Sequence, residues 1–561
     1  MHLSFARFFA GTTAFFVLFA AAASGQLPNF NRTSNYDVQH YTIRVKFDHR
    51  ARTVFGDTTV ELKPLADSFR TVELDARDLK FESVRLDGAD SELKYRAAAG
   101  KVAVTLDRAY KTGETIKLRF RYSAKPKKGV YFVDERVKDG KVVHSAQIWT
   151  QGEPDEAHHW FPSFDHPSDK ATTEQMITAE KGFEVIGNGE RVSLTENADG
   201  TVTHHFRMTI PHTTYLVSFV IGKYEKFTDK YRDVSLTNYL YPGTGQLNTL
   251  AYGRTKDMLK AFEEMTGVDY PFNKYDQTVV ANFAFGGMEN ITATTMADTE
   301  INYAQLDFLR GNVEDLVSHE IAHSWFGNNV TMRNWAELWL NEGFATFMEA
   351  AIRERLNGRE DYIRKLSLNA EEAMADDAAR KNAFGLFNRT AGDTSKLFDR
   401  PSITYSKGGV VVHMLREQVG DANFWKGVNL YLTRHRFGSV ETPDLMRAME
   451  EVSGQKLDWF FDQWVYGTSH PKLTVRQQYD DTAKALVFNI DQTQTGGPLV
   501  PKAFRLPLEI RVKFPDGTTR TETLNITDRK QTISIPTATK PSEVTFDPAF
   551  KLPLIELKTM K

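Results

Sequence analysis

The spacing of apolar positions along the chain changes period twice. Up to about residue 225, residues 41–47, 58–62, 116–122 and 215–221 carry apolar side chains at alternate positions, which predicts strands with one face buried. Asp87-Gly88, Asp139-Gly140 and Asp199-Gly200 fall between such runs and read as turns. After about residue 226 the period lengthens. Residues 250–266, ending before Gly267, then 313–326, 342–356, 409–419, 423–436 and 442–451 predict helices, with a strand at 277–281. Beyond Pro471 alternation returns at 473–475, 485–490, 506–514 and 532–535, as expected of a small β-sandwich. The fold class is therefore multidomain α+β. An N-terminal antiparallel β-rich domain, a saddle or sandwich, spans 26–225, a mixed α+β domain 226–470, and a C-terminal β-sandwich 471–561.

Met1 to Gly25 reads as a signal peptide. Arg7 is the one positive charge before the apolar residues Phe8-Phe9 and 15–23, and Ala23-Ser24-Gly25 offers a cleavage site. The run is broken by Gly11-Thr12-Thr13, whereas a membrane span needs about 20 uninterrupted apolar residues. An uncleaved anchor stays open as the alternative, but no stable span is expected after cleavage. The sequence has no Cys, which excludes disulfides, thiolate ligands and a lipid-bearing Cys. In an exported chain this points to a periplasmic or extracellular location of bacterial type. A formal charge of −3, with both signs interspersed, offers no basic tract for nucleic acid.

The stretch with the sharpest chemistry is His319-Glu320-Ile321-Ala322-His323, followed by Glu342. Histidines four apart on a helix present both imidazoles to one point. Glu342, at the head of the next helix, can return as a third ligand. Two His and one carboxylate leave the fourth position of a tetrahedral Zn2+ open, the layout of a catalytic site. Glu320 sits beside the metal without being a ligand. Thermolysin-like endopeptidases share these residues, so they do not fix the substrate. Residues 149–167 hold Glu153, Glu156, Asp165, His158, His159 and His166 among aromatics. A second metal site is conceivable there, but the spacing matches no helical or zinc-finger interval, which favours structural roles for the three histidines. Gly286-Gly287 allow a ligand close to the backbone, and Glu289 follows them.

Four motifs occur in order: Gly-Gly-Met-Glu-Asn at 286–290, His-Glu-Ile-Ala-His at 319–323, Trp-Leu-Asn-Glu-Gly-Phe-Ala at 339–345 and Thr-Tyr-Ser-Lys-Gly at 404–408. In these the chain resembles the aminopeptidase N-type family of zinc exopeptidases, peptidase family M1, which also includes leukotriene hydrolase. The resemblance implies a thermolysin-like middle domain and one Zn2+ per chain, held by His319, His323 and Glu342. Glu320 matches the general base, and Tyr405 matches the phenol that stabilises the oxyanion. Glu289 matches the carboxylate that grips the substrate's α-ammonium, and Glu153 falls where relatives carry a Glu or Gln with the same task. Gly286, Gly287 and Met288 match the stretch whose backbone edge pairs with an extended peptide. Ser324, Asn334, Glu337 and Ser406 depart from the commonest pattern, none at a ligand position. Larger relatives add a C-terminal all-helical domain, for which this chain is read as having no room.

The function expected is removal of N-terminal residues from peptides with a free terminus by a zinc-activated water. An epoxide hydrolase of the leukotriene type and a catalytically inactive binding scaffold are the rivals.

Overall fold

The computed structural model describes residues 27–379 and 384–560, so the segment read as a signal peptide lies outside the described residues. Among these residues, the N-terminal part builds a seven-stranded sheet. Its spatial order is Glu190–Glu196, Thr201–His212, Ala171–Glu180, Tyr36–Asp48, Thr53–Pro64, Ile116–Ala124 and Leu79–Leu86. The expected alternation is visible in Ile116–Ala124, where Ile116, Leu118, Phe120 and Tyr122 are buried and Lys117 and Arg121 exposed. One pairing differs from the antiparallel expectation: Tyr36–Asp48 runs parallel to Ala171–Glu180, with His40 opposite Thr172. Such a pair needs a long crossover, which local alternation cannot reveal.

A four-stranded sheet, Glu184–Gly187, Phe219–Gly222, Gln147–Thr150 and Val130–Val133, lies between the N-terminal core and the helical region. Ile148, Phe219 and Ile221 pack into the N-terminal core, whereas Trp149 and Val220 pack against Val280 and Ala293. Residues 215–221, expected to alternate, are instead apolar at every position but Ser218, and burial on both faces explains it. Only the second half of that stretch is a strand, however. Thr214–Leu216 form a single 3-10 turn, from which the buried Tyr215 hydroxyl donates to Glu289.

The middle region rests on a five-stranded sheet in the order Glu225–Tyr231, Val234–Leu240, Lys274–Val280, Ala293–Ala297 and Gly287–Met288. The helix expected at 250–266 is two: α1 (Gln246–Tyr252) and α2 (Thr255–Thr266), parted at Gly253-Arg254. Gly267 stops α2 with φ +64°, a left-handed cap suited to glycine. There follow α3 (Asp298–Asn302), α4 (Arg310–Ala322), α5 (Trp339–Asn357), α6 (Arg359–Ala379) and α7 (Gly408–Val419). The C-terminal strands form a four-stranded and a three-stranded sheet around Val475, Phe488, Leu508 and Leu524. This sandwich core is continuous with the helical core, through contacts such as Trp464 against Phe504. No helix among the described residues is long and apolar enough to cross a membrane.

Candidate active site

His319 in the last turn of α4 and His323, the helical residue that caps its C-terminus, lie one turn apart, and the first turn of α5 brings Glu342 to them. Glu342 Oε2 lies 3.2 Å from His319 Nε2 and 3.5 Å from His323 Nε2, with all three residues buried. The far nitrogen of each ring is occupied. His319 Nδ1 donates to Glu349 Oε1 at 2.7 Å, and His323 Nδ1 donates to the Phe326 carbonyl at 2.9 Å. Both Nε2 atoms are thereby turned toward Glu342. Behind Glu349 stands a part-buried charge network joining three helices. Lys365 of α6 meets Glu349 at 2.5 Å and Asp315 of α4 at 3.0 Å, and Arg353 of α5 meets Asp315 at 2.6 Å.

Burial opposes charge on every one of these groups, and their neighbours decide the outcome. For Glu342, burial pulls the carboxyl up, but His323 and His319 outweigh it and hold it down at about 2. For His323, burial is overcome by Glu289 and Glu342, which hold the imidazole up at about 9. One donor atom each from His319, His323 and Glu342 lies within 4.8 Å of the others. Two imidazole nitrogens and one carboxylate oxygen, with their outer hydrogen bonds satisfied, fit a zinc ion with an open position. Glu289, Glu320 and His323 also converge within that distance, but one nitrogen against two carboxylates is the poorer match.

The trio lines a cavity of about 640 Å³ that also receives Glu153, Gly286, Gly287, Met288, Glu289, Glu320 and Tyr405. The sequence-derived site residues, drawn from five segments, thus meet in one place. The Gly287–Met288 strand is the edge of its sheet, with Gly287 opposite Met296 and its other side unpaired. The Glu320 carboxylate lies directly against this edge: a Cβ on Gly287 would fall 2.1 Å from Glu320 Oε1. Burial pushes the Glu320 carboxyl up to about 8, an environment suited to a group that takes and returns a proton near neutrality.

Glu153 and Glu289 are both buried on the cavity wall. Burial and then the facing carboxylate of Glu289 push Glu153 well above the usual range, and its Oε1 has no hydrogen-bond partner. Burial likewise raises Glu289, which accepts from the Tyr215 hydroxyl at 3.3 Å. Asn341 Nδ2 in turn donates to that hydroxyl at 3.2 Å. Tyr405 sits on a π-helical turn, Ser402–Lys407, with its ring nearly parallel to His319 at 6.0 Å between centroids. Burial, then Glu342, Glu153 and Glu289, raise the phenol well above its ordinary value, so it remains a proton donor.

A model of the peptidase family M1 domain matches residues 250–464, and a model of the peptidase M1 N-terminal domain matches residues 37–216. The chain belongs to peptidase family M1. Among family relatives, it is 30% identical to Aminopeptidase 2 of Candida albicans over 467 residues, 80% of this chain and 49% of the relative. Identity to the Tricorn protease-interacting factor F2 of Thermoplasma acidophilum is 29% over 450 residues, 79% of this chain and 54% of the relative. Aminopeptidase A of Gloydius brevicauda is 27% identical over 529 residues, 88% and 53% of the two chains. The chain spans about half the length of these curated relatives.

The histidines of residues 149–167 each have their own partner in this M1 fold. His158 bonds Asp165 at 2.7 Å, His159 bonds Asp78 at 2.8 Å, and His166 bonds the Ser168 hydroxyl at 2.8 Å. Sequence reasoning missed Glu349, Lys365, Tyr215 and Asn341. A signal existed for Glu349 alone: it stands seven residues after Glu342, two turns along the same helical face.

Proposed function

We propose that the chain is a zinc-dependent aminopeptidase that releases N-terminal residues from peptides. The observation that carries this reading is one cavity holding both the His319–His323–Glu342 trio and two further buried carboxylates, Glu153 and Glu289. Buried carboxylates with few partners are costly unless a cation joins them. The α-ammonium of a peptide is such a cation, and an extended peptide brings it there when it pairs with the free edge at Gly286–Met288. With the ammonium at Glu289, a peptide antiparallel to this edge would pass Gly287, against which the Glu320 carboxylate lies.

When bound, zinc supplies Lewis acidity that polarises the scissile carbonyl and makes water nucleophilic at neutral pH. His319, His323 and Glu342 hold the ion. The Glu320 carboxylate takes the proton of the attacking water and passes it to the leaving amine. The Tyr405 hydroxyl donates to the oxyanion that develops on the carbonyl. Glu153 and Glu289 fix the distance from the amino terminus, so cleavage falls after one residue. The names of the relatives support this activity over epoxide hydrolysis, and intact ligands, base and phenol support it over an inactive scaffold.

The apolar run before Gln26 and the absence of Cys support export to the periplasm or exterior. A panel of fluorogenic aminoacyl amides tests the activity. Turnover that a zinc chelator abolishes and added zinc restores is expected. Bound zinc without turnover of any member would favour the scaffold.

A further inference from the structure

Tyr405 is followed by three residues that each fasten its turn to a different part of the molecule. Ser406 Oγ donates to Glu372 Oε2 of α6 at 2.7 Å. Lys407 Nζ, wholly buried, donates to the Ser469 carbonyl at 2.9 Å, at the entry to the C-terminal strands. Gly408 begins α7 against α5, where a Cβ would lie 2.8 Å from the Cα of Gly343, the residue after Glu342. The Ser406 and Gly408 contacts join the turn to helices that already line the cavity. The Lys407 contact is different, because it reaches outside the helical region.

Lys407 is surrounded by acceptors without being tightly paired. Asp377 Oδ2 stands 4.0 Å from its Nζ and accepts from His470 Nδ1 at 3.3 Å. His470 Nε2 lies 3.7 Å from Glu556, which Lys472 meets at 2.6 Å on the C-terminal sheet. Burying an ammonium is costly, and one neutral carbonyl with a carboxylate 4.0 Å away offsets that only in part. An apolar residue would fill the volume at lower cost, so stability alone does not account for a lysine here.

We propose that Lys407 is a positioning residue: by tying the π-helical turn to Ser469, it makes the C-terminal β-region a structural arm of the active site that sets where the Tyr405 hydroxyl stands. This rests on the oxyanion role proposed above for Tyr405. A turn held on one side only leaves the phenol free to drift, and misplacement by about 1 Å costs on the order of 100-fold in rate. Lys407 touches no reacting atom, so its whole effect must pass through Tyr405.

A double-mutant cycle in the full-length zinc-loaded protein tests this. Lys407→Met is made alone and together with Tyr405→Phe, with kcat, KM, zinc content and Tm measured on one aminoacyl amide. Tyr405→Phe should lower kcat by roughly 100- to 1,000-fold, the loss of one oxyanion donor. Lys407→Met should lower kcat by about tenfold or more with KM little changed, yet by less than about twofold once Tyr405→Phe is present. Lys407→Gln, uncharged and too short to hold the Ser469 carbonyl in the same place, should follow the same non-additive pattern, which gives the reading if Lys407→Met does not fold. Equal fold losses in both backgrounds, or no loss from either substitution, would overturn the inference while leaving the Tyr405 role intact. A neutral Tyr405→Phe would instead overturn the oxyanion role, and this inference with it.

Discussion

Glu349 offers the most quantitative test of how the proposed metal site is built. Its carboxylate binds no metal in this account, but it accepts from His319 Nδ1 at 2.7 Å, a charge-assisted hydrogen bond within a buried wall. Replacing Glu349 by Leu leaves His319 Nδ1–H without an acceptor whenever Nε2 faces the metal. The metal-free imidazole can turn either nitrogen to Glu342, whereas the loaded one cannot. The penalty therefore falls on the loaded state, and a buried unpaired donor costs about 1–3 kcal/mol. That corresponds to zinc binding weaker by about 5- to 150-fold, which brackets the range of about 10- to 100-fold usual for removing such a partner. Glu349→Gln keeps an acceptor oxygen and loses the charge, so its affinity should lie between wild type and Glu349→Leu. Lys365 retains Asp315 at 3.0 Å in both variants, which limits the damage to folding. Competition with a chelator of known affinity gives the constants, and thermal unfolding of the zinc-free proteins checks the fold. Zinc affinity unchanged in Glu349→Leu would refute the claim that this carboxylate orients His319.

Three other variants separate roles within and beyond the site. His323→Ala should lose zinc and activity together, whereas Glu320→Ala should keep zinc and lose turnover by about 100-fold or more; equal zinc loss in both would move Glu320 from base to ligand. Glu337 is buried where Thr442 Oγ1 donates to it at 2.6 Å, and burial pushes its carboxyl up to about 7. A raised carboxyl binds its proton more tightly folded than unfolded, so its stabilising effect is full below about pH 4.5 and fades as pH rises through 7. Glu337→Gln should thus gain stability over wild type on going from pH 4.5 to 8, and a difference in Tm that is flat with pH would contradict this.

The sequence exposed whatever repeats locally. His319 and His323, at the end of α4, share a helical face, and the strands of the N-terminal sheet alternate, because both patterns are set by backbone period alone. It did not expose contacts whose partner lies on another element. Lys365 reaches Glu349 only because α6 packs on α5, and the parallel pairing of Tyr36–Asp48 with Ala171–Glu180 depends on a crossover of more than a hundred residues. Residues 215–221 misled for a related reason. Their uniform burial comes from cores on both sides, and the bend at Tyr215 serves a hydrogen bond to Glu289 that no local pattern announces. Likewise the break at Gly253-Arg254 within an otherwise amphipathic run shows a lone glycine ending a helix that periodicity alone would continue.

The central claim is that Glu289 and Glu153 read a free amino terminus, and a pair of peptides tests it most directly. One short peptide carries a free α-amino group, and its twin is acetylated there. Acetylation removes the positive charge and adds bulk beside two buried carboxylates, leaving them without a counter-charge. Product analysis by mass spectrometry should find the free peptide shortened one residue at a time and the acetylated twin intact. Glu289→Ala should slow cleavage of the free peptide, retain zinc, and narrow the gap between the twins. Internal cleavage of the acetylated peptide by the wild-type protein, at a rate comparable to the free one, would contradict the account.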